Sequence, residues 1–115
     1  MITVTRKFDF CYGHSLPLHK GKCCNQHGHN AVLEVTLKGG VDERSGMVLD
    51  FGDLKKAVED QVIDPLDHQY LNEFIENPTA ENILMWIHSK LVPIFGLQLY
   101  KLRLYETPNC YAEWR

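Results

Sequence analysis

The sequence predicts an α+β domain: an antiparallel sheet with two helices on one face. Three observations predict it. Apolar residues alternate with polar ones in stretches near both ends of the chain. Two stretches in the middle repeat their apolar residues every three or four positions. Pro and Gly punctuate the boundaries between these patterns. The order is β-β-α-α-β-β, and 115 residues are read as one domain, 1–115.

The first strand is expected over 2–13, where Ile2, Val4, Phe8, Phe10 and Tyr12 alternate with mostly polar residues. A loop rich in Gly, Lys, Cys and Asn fills about 15–26. The second strand covers 28–38, with Ala31, Leu33, Val35 and Leu37 facing one way, and Gly39-Gly40 ends it. Asp50 is placed to cap a helix beginning near Phe51. Phe51, Leu54, Val58 and Val62 recur at helical spacing, and Pro65 is expected to stop the run. A second helix starts after Pro78, with Thr79 as N-cap and Glu81 in the first turn, where a carboxylate suits the helix dipole. Ile83, Leu84, Ile87 and Leu91 make its buried face, and Pro93 with Gly96 ends it. Residues 98–106 alternate again, and a turn at Thr107-Pro108-Asn109 leads to a short strand at about 110–114.

Composition narrows the function classes. The chain is 44% hydrophobic and 23% charged, ordinary for a globular protein. A net charge of -3 and a pI near 6.0 argue against a general nucleic-acid binder. They do not argue against an anionic small molecule, which a few local cations can hold. No apolar run approaches the roughly 20 residues of a membrane span. MITVTRKFDF has no signal-peptide core. A cytoplasmic location without membrane contact is expected. The four cysteines then read as free thiols, metal ligands or a nucleophile rather than disulfides.

Four of the six histidines fall between positions 14 and 29. His27-Gly28-His29 opens the second strand, and side chains at i and i+2 share a face. His14 ends the first strand in phase with Phe8, Phe10 and Tyr12. If these strands pair, three imidazoles converge, and three neutral imidazoles suffice for a zinc site with an open fourth position. Cys23 or Cys24 could instead close it as a structural His3Cys site. Glu106 is in phase with Leu102 and Leu104, and a carboxylate there is either paired or functional. A heterocycle with adjacent N–H donors would suit its two acceptor oxygens. Asp67-His68 reads either as a carboxylate orienting an imidazole or as a polar turn. His19, Lys20 and Lys22 make a solvated loop or a phosphate contact. Cys11 and Cys110 read as strand packing residues, and His88 as a surface residue.

Several segments together resemble the 6-pyruvoyl-tetrahydropterin synthase family, including its 6-carboxy-tetrahydropterin synthase branch. They are Phe8-Asp9-Phe10 with His14, Gly21-Lys22-Cys23 with His27-Gly28-His29-Asn30, and the stretch from Gly46 to Lys55. Leu66-Asp67-His68-Gln69-Tyr70-Leu71-Asn72, Asn77-Pro78-Thr79-Ala80-Glu81-Asn82 and Tyr105-Glu106-Thr107 complete the match. The resemblance implies a tunnelling fold, with sheets joined around a trimeric barrel and two trimers stacked into a homo-hexamer. It implies Zn2+ on His14, His27 and His29, Cys23 as general base, Asp67 and His68 as its proton relay, and Glu106 as pterin anchor and as a catalytic residue often counted in that relay. Thr79 and Glu81 fall in a matched segment and are taken as substrate-binding, with Lys20 and Lys22 for the phosphates. The implied substrate is 7,8-dihydroneopterin triphosphate. The Cys-x3-His-Gly-His spacing resembles the bacterial 6-carboxy-tetrahydropterin synthases of queuosine biosynthesis. The alternatives are the 6-pyruvoyl activity, which keeps the side chain, and a zinc-binding protein without turnover.

Overall fold

The two longest alternations form the two longest strands. In the computed structural model, which describes residues 1–115, β1 (Ile2–His14) and β2 (His27–Gly39) build an antiparallel ladder of 13 residues each. The register sets Tyr12 opposite His29 and His14 opposite His27.

The chain then enters α1 (Phe51–Val58). Asp50 caps it, its Oδ1 accepting from the amides of Gly52 at 2.6 Å and Asp53 at 3.3 Å. Helical backbone does not stop at Pro65, as expected from sequence. It continues through a π turn (Glu59–Ile63) and one further α turn (Asp64–Leu66). Proline in a regular helix clashes with the carbonyl four residues earlier. The wider π turn just upstream changes the bonding partners there, and Leu66 reaches the core fully buried.

β3 (Gln69–Tyr70) pairs in parallel with β1 at Tyr12 and Gly13. The sheet is therefore mixed, which corrects the purely antiparallel expectation. A two-residue strand has no periodicity to read, and tertiary hydrogen bonds alone create it. α2 (Ala80–Phe95) begins at Thr79, whose Oγ1 accepts from the Asn82 amide at 3.1 Å. It contains Pro93 rather than ending there. In the last turn a missing N–H removes a single bond, and buried Phe95 anchors the end. Gly96, at φ 54°, terminates the helix, its N–H returning to the Val92 carbonyl. β4 (Leu99–Thr107) pairs antiparallel with β2, and β5 (Cys110–Trp114) with β4. The strand order is β3-β1-β2-β4-β5.

Both helical stretches cover one sheet face. Leu54, Val58, Val62 and Leu66 from the first, and Ile83, Leu84, Ile87 and Leu91 from α2, share one cluster with Phe8, Phe10, Leu33, Leu102 and Leu104. Each such side chain contributes about 1.5–3 kcal/mol by leaving water. The other face is polar. It carries a Thr5–Thr36 hydroxyl pair at 2.7 Å, Lys7–Glu34 at 3.5 Å and Arg103–Glu113 at 2.6 Å. No helix is long and apolar enough to cross a membrane.

Candidate metal and substrate site

The histidine triad forms where the ends of β1 and β2 meet. His14 is fully buried, and His27 and His29 are half-buried. Their donor atoms lie within 4.8 Å of one another. His14 Nε2 is 2.9 Å from His27 Nε2 and 3.1 Å from His29 Nε2.

The far sides of two rings decide what these nitrogens can do. His14 Nδ1 lies 2.8 Å from the Pro78 carbonyl oxygen, and His27 Nδ1 lies 2.8 Å from that of Asn25. A carbonyl oxygen only accepts, so each Nδ1 carries the hydrogen. In the neutral rings both Nε2 atoms are then bare lone pairs facing each other at 2.9 Å. That contact repels unless a cation lies between them. A proton is disfavoured: burial lowers the His14 pKa and the nearby His27 and His29 rings add to this, against the opposing pull of the Pro78 carbonyl and Glu106. His29 is also lowered, by burial first and further by His27, against the opposing pull of Glu106. A metal ion fits better. Two ligands on a tetrahedral zinc with bonds of roughly 2.0–2.1 Å stand about 3.3 Å apart, close to the observed separations. Carbonyls that fix ring tautomers are the usual outer support of such ligands.

Glu106 approaches the triad from β4. Its Oε1 accepts from the Tyr12 hydroxyl at 3.0 Å and lies 3.9 Å from His14 Nε2. Burial, and then the Glu106 charge, push the Tyr12 pKa well above the usual tyrosine range, so the hydroxyl keeps its proton and donates. Glu81 and Glu106 line one cavity of about 420 Å³ together with Cys110 and Tyr111. Thr79 caps α2 beside Pro78, whose carbonyl holds His14.

The remaining sequence candidates stand elsewhere. Cys23 is half-buried in a 3-10 turn (Lys22–Cys24), its carbonyl accepting from the Leu16 amide at 2.8 Å. Neither Cys23 nor the exposed Cys24 belongs to the group within 4.8 Å, which comprises the three histidines. Lys20 and Lys22 are exposed in the same loop. Asp67 and His68 do pair, with His68 Nδ1 3.0 Å from Asp67 Oδ1. They sit against Cys11, whose side chain is out of phase with Tyr12 and His14. The pair thus lies on the sheet face away from the triad. The Cys11 amide donates to Asp67 Oδ1 at 2.9 Å and is the first cause holding that carboxyl below its usual range.

A model of the family described as 6-pyruvoyl tetrahydropterin synthase matches residues 3–115. The chain belongs to this family. A protein of Archaeoglobus fulgidus, named provisionally as a 6-carboxy-5,6,7,8-tetrahydropterin synthase, is 46% identical over 106 residues, covering 92% of this chain and 89% of the relative. The 6-carboxy-5,6,7,8-tetrahydropterin synthase of Rickettsia typhi is 34% identical over 137 aligned positions, covering 98% and 99%. The solved 6-pyruvoyl tetrahydropterin synthase of Caenorhabditis elegans superposes with a TM-score of 0.89 at 34% identity, covering 99% of this chain and 94% of that one.

Within this pterin synthase family chain, several supporting groups escaped the sequence reading. Pro78 and Asn25 act through backbone carbonyls, which leave no residue-type signal. Asn77, at φ 46°, accepts at its carbonyl from the Thr79 amide and the Asn82 side chain, both at 2.8 Å, and so aims the next carbonyl. Asn72 pins the chain after His14, donating to the Ser15 carbonyl and accepting from its amide, both at 2.8 Å. Tyr12 read as an ordinary core residue, although its place two positions before His14 put it on the triad's face.

Proposed function

We propose that this chain is a zinc-dependent 6-carboxy-tetrahydropterin synthase. It would convert 7,8-dihydroneopterin triphosphate and water into 6-carboxy-5,6,7,8-tetrahydropterin, acetaldehyde and triphosphate, in the route to queuosine. The observation that carries the reading is the opposed lone-pair contact of His14 and His27, with the Glu106 carboxylate 3.9 Å away. It pairs a cation site with an acceptor for ring N–H groups in one place.

His14, His27 and His29 would hold the zinc, which as a Lewis acid polarises bound oxygen and favours loss of a neighbouring proton. Glu106 holds the pterin. Tyr12 takes one lone pair of Oε1, and the second oxygen remains for the amino and ring N–H groups. Thr79 and Glu81 border the pterin end. Cys23 is the base, because a thiolate can abstract and return a proton. Asp67 orients His68, which exchanges protons with that thiol. This relay lies on the sheet face away from the triad, and a neighbouring subunit would bring it to Cys23. Lys20 and Lys22 take the triphosphate. The homo-hexameric barrel supplies such a neighbour, and the chain acts in the cytoplasm as a single domain.

Product analysis tests this reading. Incubation with dihydroneopterin triphosphate should release acetaldehyde and a 6-carboxy-tetrahydropterin, identified by mass. A product that retains the three-carbon side chain assigns the 6-pyruvoyl reaction instead. Bound zinc with intact substrate leaves a non-catalytic zinc protein.

A further inference from the structure

On the face turned away from the triad, a different set of donor atoms converges. Cys11, Asp67 and His68 each offer one within 4.8 Å of the others. Asn30 Oδ1 lies 3.0 Å from Cys11 Sγ. All four residues line a single cavity of about 410 Å³. Sequence alone assigned Cys11 to strand packing. Its thiol points instead at this cluster.

The cluster is held in place from both sides. The Cys11 amide donates to Asp67 Oδ1 at 2.9 Å, and the Cys11 carbonyl accepts from the His68 amide at 2.6 Å. His68 has φ 60°, a conformation uncommon for a residue with a Cβ. Such strain persists only where the surroundings enforce it. Here it accompanies a ring set against Asp67, with Nδ1 3.0 Å from Oδ1. That spacing is near the roughly 3.3 Å between two ligands of a tetrahedral zinc with ordinary N and O bond lengths.

We propose that Cys11, Asp67 and His68 form a second cation site, separate from the histidine triad, that takes a borderline-soft divalent ion such as Zn2+. Asn30 Oδ1 or water completes the coordination. A sulfur, nitrogen and oxygen donor set favours zinc over magnesium or calcium, which take oxygen ligands. On binding, the Cys11 thiol releases its proton to solvent. Coordination through His68 Nδ1 places the neutral ring's hydrogen on the other ring nitrogen. An ion here also withdraws Asp67 and His68 from proton transfer, a consequence that rests on the proposed relay. Excess metal then inhibits.

Titration of metal-free full-length protein with Co2+ tests the site, because a thiolate ligand gives a charge-transfer band in the near ultraviolet. Wild type should bind two equivalents and develop the band. Cys11→Ser should bind one and lack it, whereas His27→Ala, damaged in the triad, should keep it. The band should also persist in a Cys23→Ser/Cys24→Ser protein. A single equivalent in wild type, or a band that survives Cys11→Ser, overturns the second site. X-ray absorption of the zinc-loaded Cys23→Ser/Cys24→Ser protein checks this without touching Cys11. A sulfur scatterer at roughly 2.3 Å is expected, and a nitrogen and oxygen shell alone overturns it. Activity separates the two readings. Inhibition by the second equivalent in wild type but not in Cys11→Ser is expected. Full activity with both sites filled overturns the relay role of His68, not the site.

Discussion

At the scale of single residues, the triad is defined by what lies behind it. The Pro78 and Asn25 carbonyls fix two tautomers and leave two lone pairs opposed. Removing a ligand leaves too few donors for tight binding. His27→Ala and His29→Ala should each lose most of their bound zinc by elemental analysis, and full retention in both would sink the triad. The thiols separate by a different argument. Cys23 is half-buried and Cys24 exposed, so the neighbours do not share one environment. Loss of a general base costs on the order of 10² to 10⁴ in rate. Cys23→Ala should show that loss while keeping zinc and assembly, and Cys24→Ala should stay within several-fold of wild type on the same assay. The reverse ranking moves the base to Cys24. The three histidines were legible because strand phase is a strict rule. The position of Asp67-His68 was not, since it depends on a two-residue strand and on a His68 backbone at φ 60°.

At the scale of elements, strands 2–13, 28–38, 98–106 and 110–114 were each readable to within about a residue, because one buried face imposes period two. The two prolines misled. Pro65 and Pro93 both lie inside helical backbone, because a π turn accommodates the one and proximity to the C-terminus the other. The start of α2 matters most for the site, since the Thr79 cap and the His14-holding Pro78 are adjacent. Losing an N-cap hydroxyl costs about 1 kcal/mol. Thr79→Ala should therefore lower the unfolding free energy measured by urea titration by about 1 kcal/mol and weaken zinc affinity as Pro78 loosens. Unchanged zinc affinity in the destabilised variant would mean that Asn77 alone aims the carbonyl. The turn between β2 and α1 carries a pH signature. Asp42 Oδ1 accepts from the Ser45 and Arg44 amides, both at 2.9 Å, and these bonds hold its pKa below the ordinary value. A depressed folded pKa adds stability above the unfolded value of about 3.9, and this fades as pH falls through the folded value. Asp42→Asn cannot titrate, so its stability should vary less than wild type across the acid limb. Identical acid limbs would show that the turn contributes nothing to this dependence.

At the scale of the whole molecule, the shape poses a problem that one chain does not solve. The subunit measures 53 × 23 × 22 Å with a radius of gyration of 15.2 Å, against roughly 13 Å for a compact chain of this length. The excess comes from two 13-residue strands that outrun their helical cover. β3 pairs with β1 only at Tyr12 and Gly13, so the outer edge of β1 is open over most of its length, as is that of β5. Unpaired edges invite pairing with another chain. These are different edges of one sheet, so their contact is head-to-tail, and a head-to-tail contact that closes makes a ring. The proposed chemistry asks for the same neighbour, because Asp67-His68 and the triad lie on opposite faces. We expect light scattering to find a hexamer of the 13.3 kDa chain. Its urea midpoint should rise with protein concentration, as mass action requires of an assembly that holds the folded chain. Activity per chain should fall on dilution in step with loss of the ring, while zinc content stays constant, because the triad is complete within one chain. A stable monomer with a concentration-independent midpoint and undiminished activity would contradict both the closed barrel and the relay supplied across its interface.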